Sequence, residues 1–175
     1  MSALPEETER LILRRFRESD LEDLYAILSN PETMAFEPYP PMTLEQAKEA
    51  LAWRISTGEM TAVERKATGQ MIGNVYLGKR EFDAMELGFV FRRECWGQGY
   101  ARESCEAMIH KAFAEGVHRI YAECDPENEG SWRLLERLGF RREGHLRRNV
   151  FFHRDEAGRP IWKDTYVYAL LNESE

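Results

Sequence analysis

Two glycines, Gly97 and Gly99, flank Gln98 between an apolar stretch that ends at Phe91 and an amphipathic stretch that follows. A strand, a short glycine-containing loop and a helix in immediate succession present unpaired backbone N–H groups at the positive end of the helix dipole. Glycine also lets the backbone approach an anion where a Cβ atom would block contact. The stretch therefore indicates a pyrophosphate cradle, although a Gly-x-Gly pair also occurs in ordinary strand-to-helix connections.

Spacing excludes several other motif classes. No third glycine completes a dinucleotide fingerprint, and no Gly-Lys-Ser/Thr completes a P-loop. The cysteines show no CxxC pattern and the histidines no paired spacing, so we expect reduced thiols and no metal site. These residues are Cys95, Cys105, Cys124, His110, His118, His145 and His153.

A second polar pair, Asn128 and Ser131, stands where a helical pattern begins and runs to Leu138-Gly139. Asparagine and serine are both good N-cap residues, so helix capping is the simpler interpretation of this pair by itself. A role in ligand binding becomes the stronger hypothesis only in combination with the glycine loop.

Periodicity predicts the elements that position these residues. Strands are expected at Arg10–Phe16, on both sides of Thr68-Gly69, at Ala84–Phe91, in "RIYAECD", and as a final pair around "DEAGRP". Helices are expected after Ser19-Asp20, after Thr43 with Gln46 as a capping box, after Gly99 and after Asn128. The order is βααβββαβαββ, which predicts an α/β fold with a mixed sheet and helices on its faces.

Length and charge restrict the function classes. The chain has 175 residues, 43% hydrophobic and 31% charged, so we expect residues 1–175 to form one domain. A net charge of −7 disfavours nucleic acid as a partner. No apolar run approaches the length of a membrane span, and the start of the chain is acidic rather than signal-like, so we expect a cytoplasmic protein without a membrane partner.

The combination of "WGQGYARES" with "NEGSWRLLERLGF" in this element order resembles the GNAT superfamily of acetyl-CoA-dependent N-acetyltransferases. Within it, the sequence is similar to the branch of ribosomal-protein N-terminal acetyltransferases. The resemblance covers nearly the whole chain and implies the GNAT fold, with two neighbouring central strands splayed apart. One departure is Glu94, which replaces the usual glutamine or arginine of the loop pattern and removes a side-chain contact with the cofactor.

The resemblance implies acetyl-CoA as cosubstrate, and it assigns the residues that bind it. The loop amides would hold the pyrophosphate, the strand backbone would pair with the pantetheine arm, and the asparagine side chain would hydrogen-bond that arm. The cofactor-binding residues are Val90, Phe91, Trp96, Gly97, Gln98, Gly99, Tyr100, Ala101, Arg102 and Asn128.

The resemblance also supplies the catalytic candidates. Glu86 matches the family's general base, with Glu123 as a reserve and water as a further alternative. Ser131 lies where the family places a group near the thioester sulfur. The tyrosine that other branches use as a general acid has no counterpart here, because the following helix positions hold Leu134, Leu135 and Leu138.

The acceptor is expected to be a primary amine, on a small molecule or a protein N-terminus, with direct attack on the thioester. Its cleft would be built by "NPETMAFEPYPPM" and "HRDEAGRP", where Glu32, Glu37 and the aromatics Phe36, Tyr39 and Trp53 could receive a cation. The alternative function is an inactive acyl-CoA sensor or scaffold. The oligomeric state stays open, a homodimer being one option.

Overall fold

The computed structural model describes residues 4–173. It contains eight strands: β1 (Glu6–Glu7), β2 (Leu11–Arg14), β3 (Met60–Arg65), β4 (Gln70–Lys79), β5 (Ala84–Phe91), β6 (Arg119–Cys124), β7 (Arg141–Arg154) and β8 (Pro160–Leu171). Four α-helices accompany them: α1 (Leu21–Leu28), α2 (Leu44–Thr57), α3 (Tyr100–Ala114) and α4 (Glu129–Arg137). The predicted order is confirmed, with the short β1 as an addition at the start.

All strands form one mixed sheet in the order β1-β2-β3-β4-β5-β6-β8-β7. Every neighbouring pair is antiparallel except β5 and β6, which run parallel. These two strands pair only from Ala84 to Glu86 on β5, against Arg119 to Tyr121 on β6, and then diverge. The structure thus confirms the mixed α/β fold, and it contains a gap in the middle of the sheet.

A hydrophobic core covers each face of the sheet. One core lies between the sheet and helices α3 and α4, and Met85, Leu87 and Phe91 of β5 face it. The other lies under α1 and α2, where Val90 packs with Met71 and other residues. Side chains of a strand alternate between faces, so Glu86 and Gly88 point to the α1–α2 side together with Val90.

Local predictions for the first two helices had different outcomes. The capping box before α2 is confirmed, since Thr43 and Gln46 exchange side-chain-to-backbone hydrogen bonds of 2.9 and 3.3 Å. Asp20 stands at the N-cap of α1 but makes no side-chain cap there. Its buried carboxylate is instead bound by Arg14 at 2.7 and 2.9 Å, a pairing that burial makes obligatory.

The helices of residues 4–173 are too short or too polar to cross a membrane. The longest, α3, has 15 residues, whereas a spanning helix needs about 20 apolar ones.

Candidate active site

The loop between β5 and α3, residues 92–99 and hereafter the glycine loop, has the backbone form that its sequence predicts. Gly97 and Gly99 adopt left-handed conformations with φ of 72° and 83°. Gly99 is the N-cap of α3 and brings no capping side chain. Within residues 4–173, the amides from Gly97 to Arg102 have no protein acceptor. A Cβ atom at Gly97 would meet nothing within 4 Å, so the space above these amides is open. The loop therefore offers an anion a row of free donors.

Long-range contacts brace this loop. Arg10 donates to the carbonyl of Gln98 at 2.9 Å, and its guanidinium also binds Glu103 at 2.7 Å and lies over the Tyr100 ring at 4.3 Å. Desolvation opposes ionisation of Glu103, but hydrogen bonds from Thr8 and Arg10 outweigh it and lower the pKa of this carboxyl. Sequence reasoning missed Arg10 and Glu103, which lie 93 residues apart and carry no local motif.

The gap between β5 and β6 exposes one edge of β5. The amide of Arg92 donates to Ile72 of β4 at 2.7 Å, whereas the carbonyl of Phe91 accepts from the Trp96 indole at 2.9 Å. Backbone groups alternate in direction along an antiparallel strand, so Val90 faces β4 while Phe89 and Phe91 face the gap. The free edge therefore consists of the Phe89 backbone and the Phe91 amide, whereas the Val90 backbone faces β4.

The other loop residues differ in what their side chains do. Trp96 is 45% exposed, and the Arg93 guanidinium carbon lies 4.7 Å from the centre of its ring. Tyr100 is largely buried in the core. Arg102 is exposed and pairs with Glu106 at 2.9 Å. The site predicted here is therefore one of backbone groups more than of side chains.

At the start of α4 the two predicted residues, Asn128 and Ser131, make different contacts. Asn128 is the N-cap, and its Oδ1 accepts from the amide of Ser131 at 3.3 Å. Ser131 is the third residue of the helix and does not cap it. Burial raises the pKa of Cys124 to about 11, and a hydrogen bond with the Ser131 side chain opposes that rise. The Ser131 hydroxyl is thus directed toward the end of β6.

The predicted base lies in a polar cluster on the α1–α2 side of β4, β5 and β6. We call this surface, with Tyr76, Arg80, Glu86, Tyr121 and Glu123, the acceptor face. Arg80 binds the Glu86 carboxylate and lies 3.1 Å from the Tyr76 hydroxyl. The hydrogen bonds that Arg80 donates to Tyr76 and then to Glu86 raise the pKa of Arg80, so this cation is permanent. Glu86 is therefore an ion-paired carboxylate.

Glu123 follows Tyr121 on β6, at the point where β5 and β6 have diverged. Its side chain is exposed, and among residues 4–173 it forms no ion pair. Desolvation, followed by repulsion from Glu86, raises the pKa of Glu123. A raised pKa is a property of carboxylates that accept protons in catalysis. Glu123, which sequence reasoning held in reserve, is therefore a candidate for the base alongside Glu86.

A cleft opens between the α1–α2 loop and the β7–β8 hairpin, beside the acceptor face. The residues that line it are Ala35, Phe36, Glu37, Asp125, Phe152, His153, Ile161 and Lys163. Glu32 points elsewhere and pairs with Arg93 at 2.5 Å. Tyr39 and Trp53 are about half exposed. Of the predicted acceptor residues, the structure therefore brings Glu37 and Phe36 to the cleft.

No group of three or more candidate metal ligands occurs among residues 4–173.

Comparison with known proteins agrees with this geometry. The acetyltransferase (GNAT) domain family matches residues 10–141, which include the glycine loop and the start of α4. The chain belongs to the GNAT acetyltransferase family. It is therefore an acetyl-CoA-dependent acyltransferase, and the open row of amides is compatible with the pyrophosphate of that cosubstrate.

Relatives of this GNAT acetyltransferase span its full length. It is 32% identical to the uncharacterized N-acetyltransferase YnaD of Bacillus subtilis, over 95% of this chain and 96% of that protein. It is 28% identical to the ribosomal protein uS5-alanine N-acetyltransferase of Escherichia coli, over 93% and 88%. The crystal structure of a GNAT-family acetyltransferase from Bacillus anthracis superposes with a TM-score of 0.88 at 29% identity, covering 98% of this chain and all of that one.

Proposed function

We propose that this GNAT acetyltransferase transfers the acetyl group of acetyl-CoA to a primary amine by direct attack. The observation that carries the proposal is the arrangement around the gap between β5 and β6. Free loop amides lie at one side of the gap. Carboxylates of both strands, Glu86 and Glu123, lie on its α1–α2 side.

Specific residues suit the two ends of the cosubstrate. The amides from Gly97 to Arg102 would hold the pyrophosphate. The backbone of Phe89 and the amide of Phe91 would pair with the pantetheine arm as an added strand does, with Asn128 beside it. Bound acetyl-CoA supplies the acetyl group as a thioester, a reactive acyl donor.

The acceptor amine must be neutral to attack, so a residue must hold its proton. We assign this role to Glu123, directly or through one water molecule. The pKa of Glu123 is raised by desolvation and by Glu86, which makes its carboxylate a better proton acceptor near neutral pH. Glu86, held by Arg80, acts as the fixed negative charge that tunes it.

The leaving sulfur also needs a proton. The Ser131 hydroxyl is directed toward the end of β6, near Cys124, and lies on the α4 side of the gap. A serine hydroxyl is a weak acid, so we assign it the relay of a proton from water and not the donation of its own. The buried leucines Leu134 and Leu135 leave no acidic group further along this helix face.

The acceptor class is a primary amine on a small molecule or on a protein N-terminus. The relative from Escherichia coli is described as acting on an alanine of a ribosomal protein, which supports the second source. The aromatic and charged lining of the cleft is compatible with either.

The protein is incubated with acetyl-CoA and a panel of amines, and the release of the CoA thiol is measured. A separate calorimetric titration measures the binding of CoA. We expect CoA binding and thiol release that depends on the amine. Binding without turnover on any small amine or peptide would overturn the proposal in favour of an acyl-CoA sensor.

A further inference from the structure

Arg54 of α2 projects over the α1–α2 side of the sheet. Its Nε donates to Oδ1 of the buried Asn74 at 3.3 Å, and its Nη1 donates to the carbonyl of Ala50 at 3.2 Å. The guanidinium also lies 6.0 Å above the ring of Phe16. These contacts fix a half-buried cation beside the acceptor face.

This cation has no anionic partner in contact. Within residues 4–173, no carboxylate lies within 4.0 Å of the Arg54 guanidinium, and its Nη2 has no protein acceptor. Two other arginines on this side of the sheet are paired, the buried Arg14 with Asp20 at 2.7 Å and the half-buried Arg92 with Asp23 at 2.9 Å. A half-buried guanidinium that contacts no carboxylate and keeps Nη2 available can bind an anion from outside the chain.

The attraction of Glu37 compensates only in part for the desolvation of Arg54. Burial lowers the pKa of Arg54 to about 10, and the attraction of Glu37 and Tyr39 opposes this change at longer range. Burial also raises the pKa of Glu37, with Arg54 opposing it. Each group is therefore desolvated more than the other stabilises it.

Arg54 lies along the same strands, and on the same side of the sheet, as the carboxylates of the acceptor face. Its partner Asn74 pairs with Val90, and four residues along the strands Gly78 pairs with Glu86. Four residues of a strand span roughly 13 Å. Between these two points Gly88 presents no side chain, and the side chain of its partner Tyr76 extends along the strand over Gly78. A molecule lying along this surface would reach from Arg54 at one end to the carboxylates of the acceptor face at the other.

We propose that Arg54 is a specificity-determining residue that binds a carboxylate of the acceptor while the acceptor's amine lies at Glu123. This inference rests on the proposed acetyl transfer and narrows its substrate to amines that also carry a carboxylate. Such a group occurs in amino acids and in peptides with aspartate or glutamate near the N-terminus. A polyamine would place a second cation against Arg54 and would be a poor acceptor.

The test compares matched amines with and without the carboxylate. The small-molecule arm uses 6-aminohexanoate against hexylamine, and the peptide arm uses short N-terminally free peptides with glutamate against glutamine near the amine. We expect the wild type to favour the carboxylate in at least one arm by tenfold or more in kcat/KM, and that arm identifies the source. Equal or inverted preference in both arms would overturn this inference while leaving acetyl transfer intact. Acetylation of no amine at all would overturn the proposed function as well.

The matched variants are Arg54→Met and Lys48→Met. Both remove a cation from α2, but Lys48 is exposed and pairs with Glu45 at 2.9 Å. Arg54→Met should remove the carboxylate preference through KM, with kcat for the neutral amine unchanged, and Arg54→Lys should restore part of it. Lys48→Met should behave as the wild type. A preference that survives in Arg54→Met would contradict the assignment.

A measurement on the wild type tests the proposal even if Arg54→Met does not fold. Hexanoate carries the carboxylate without the amine, so it should inhibit acetylation of hexylamine competitively if Arg54 binds the acid. Absence of inhibition by hexanoate and by a peptide acetylated at its N-terminus would count against the proposal.

Discussion

The glycine loop offers ligands backbone groups from one short segment, whereas the acceptor face combines side chains from three neighbouring strands and the turn after β4. In the loop, Gly97 and Gly99 take positive φ angles and leave adjacent amides free. On the acceptor face, Glu123 depends on Glu86, and Glu86 depends on Arg80. A backbone site is thus encoded locally, while a side-chain site depends on which strands become neighbours.

The difference predicts separable effects of mutation. Changes in the loop should act on cosubstrate affinity, and changes on the acceptor face should act on turnover and its pH dependence. The predictions below use this separation.

The largest effect is expected at Glu123. Glu123→Gln removes the proposed proton acceptor, so turnover should fall by about 10²–10⁴-fold. Calorimetric affinity for CoA should stay within twofold of the wild type, because the side chain lies on the opposite face from α3. Steady-state rates and calorimetry check the two expectations, and a wild-type rate would return the role of base to Glu86 or to water alone.

A smaller effect is expected in the loop, on cosubstrate affinity instead of turnover. Gly97→Val places a side chain in the open space above the amides and should weaken CoA binding by roughly 10–100-fold, the equivalent of one lost charged hydrogen bond. Gly158→Val is the matched control, because Gly158 has a similar φ of 77°, also has open space around it, and lies in the β7–β8 turn. Equal CoA affinity in the two variants would remove the loop from the binding site.

The smallest effects separate capping from chemistry on α4. Asn128→Ala removes the side-chain cap and should lower the free energy of unfolding by about 0.5–2 kcal/mol. Ser131→Ala should change stability little, since the serine donates only its amide to the cap, yet it should reduce turnover if the hydroxyl relays a proton. Denaturant unfolding and steady-state rates on both variants test this division. A stability loss in Ser131→Ala as large as in Asn128→Ala would contradict it.

Much of the fold was predictable from sequence because its determinants are local. The limits of β5 from Ala84 to Phe91, the capping box of α2 and the hairpin at Thr68-Gly69 all follow from short patterns. The same holds for the glycine loop, whose conformation depends on two residues.

Other features could not be predicted, because they depend on which residues become neighbours in three dimensions. Strand alternation alone could not tell that Val90 turns its backbone to β4 and Phe89 to the gap, because this depends on the register with Ile72. The pairing of Glu86 with Arg80 and the hydrogen bond from Arg54 to Asn74 depend on side-chain directions across separate elements. No short motif encodes such contacts, and they are the reason why we propose Glu123 in place of Glu86 as the base.

The pH–rate profile of Glu86→Gln tests the central claim about the acceptor face most directly. The base acts when deprotonated, so activity rises as pH rises through the pKa of Glu123, and a raised pKa places this acidic limb at higher pH. Removing the negative charge of Glu86 lowers the pKa of Glu123. We therefore expect Glu86→Gln to remain active with its acidic limb displaced to lower pH. An inactive variant, or an acidic limb at the wild-type pH, would contradict the account.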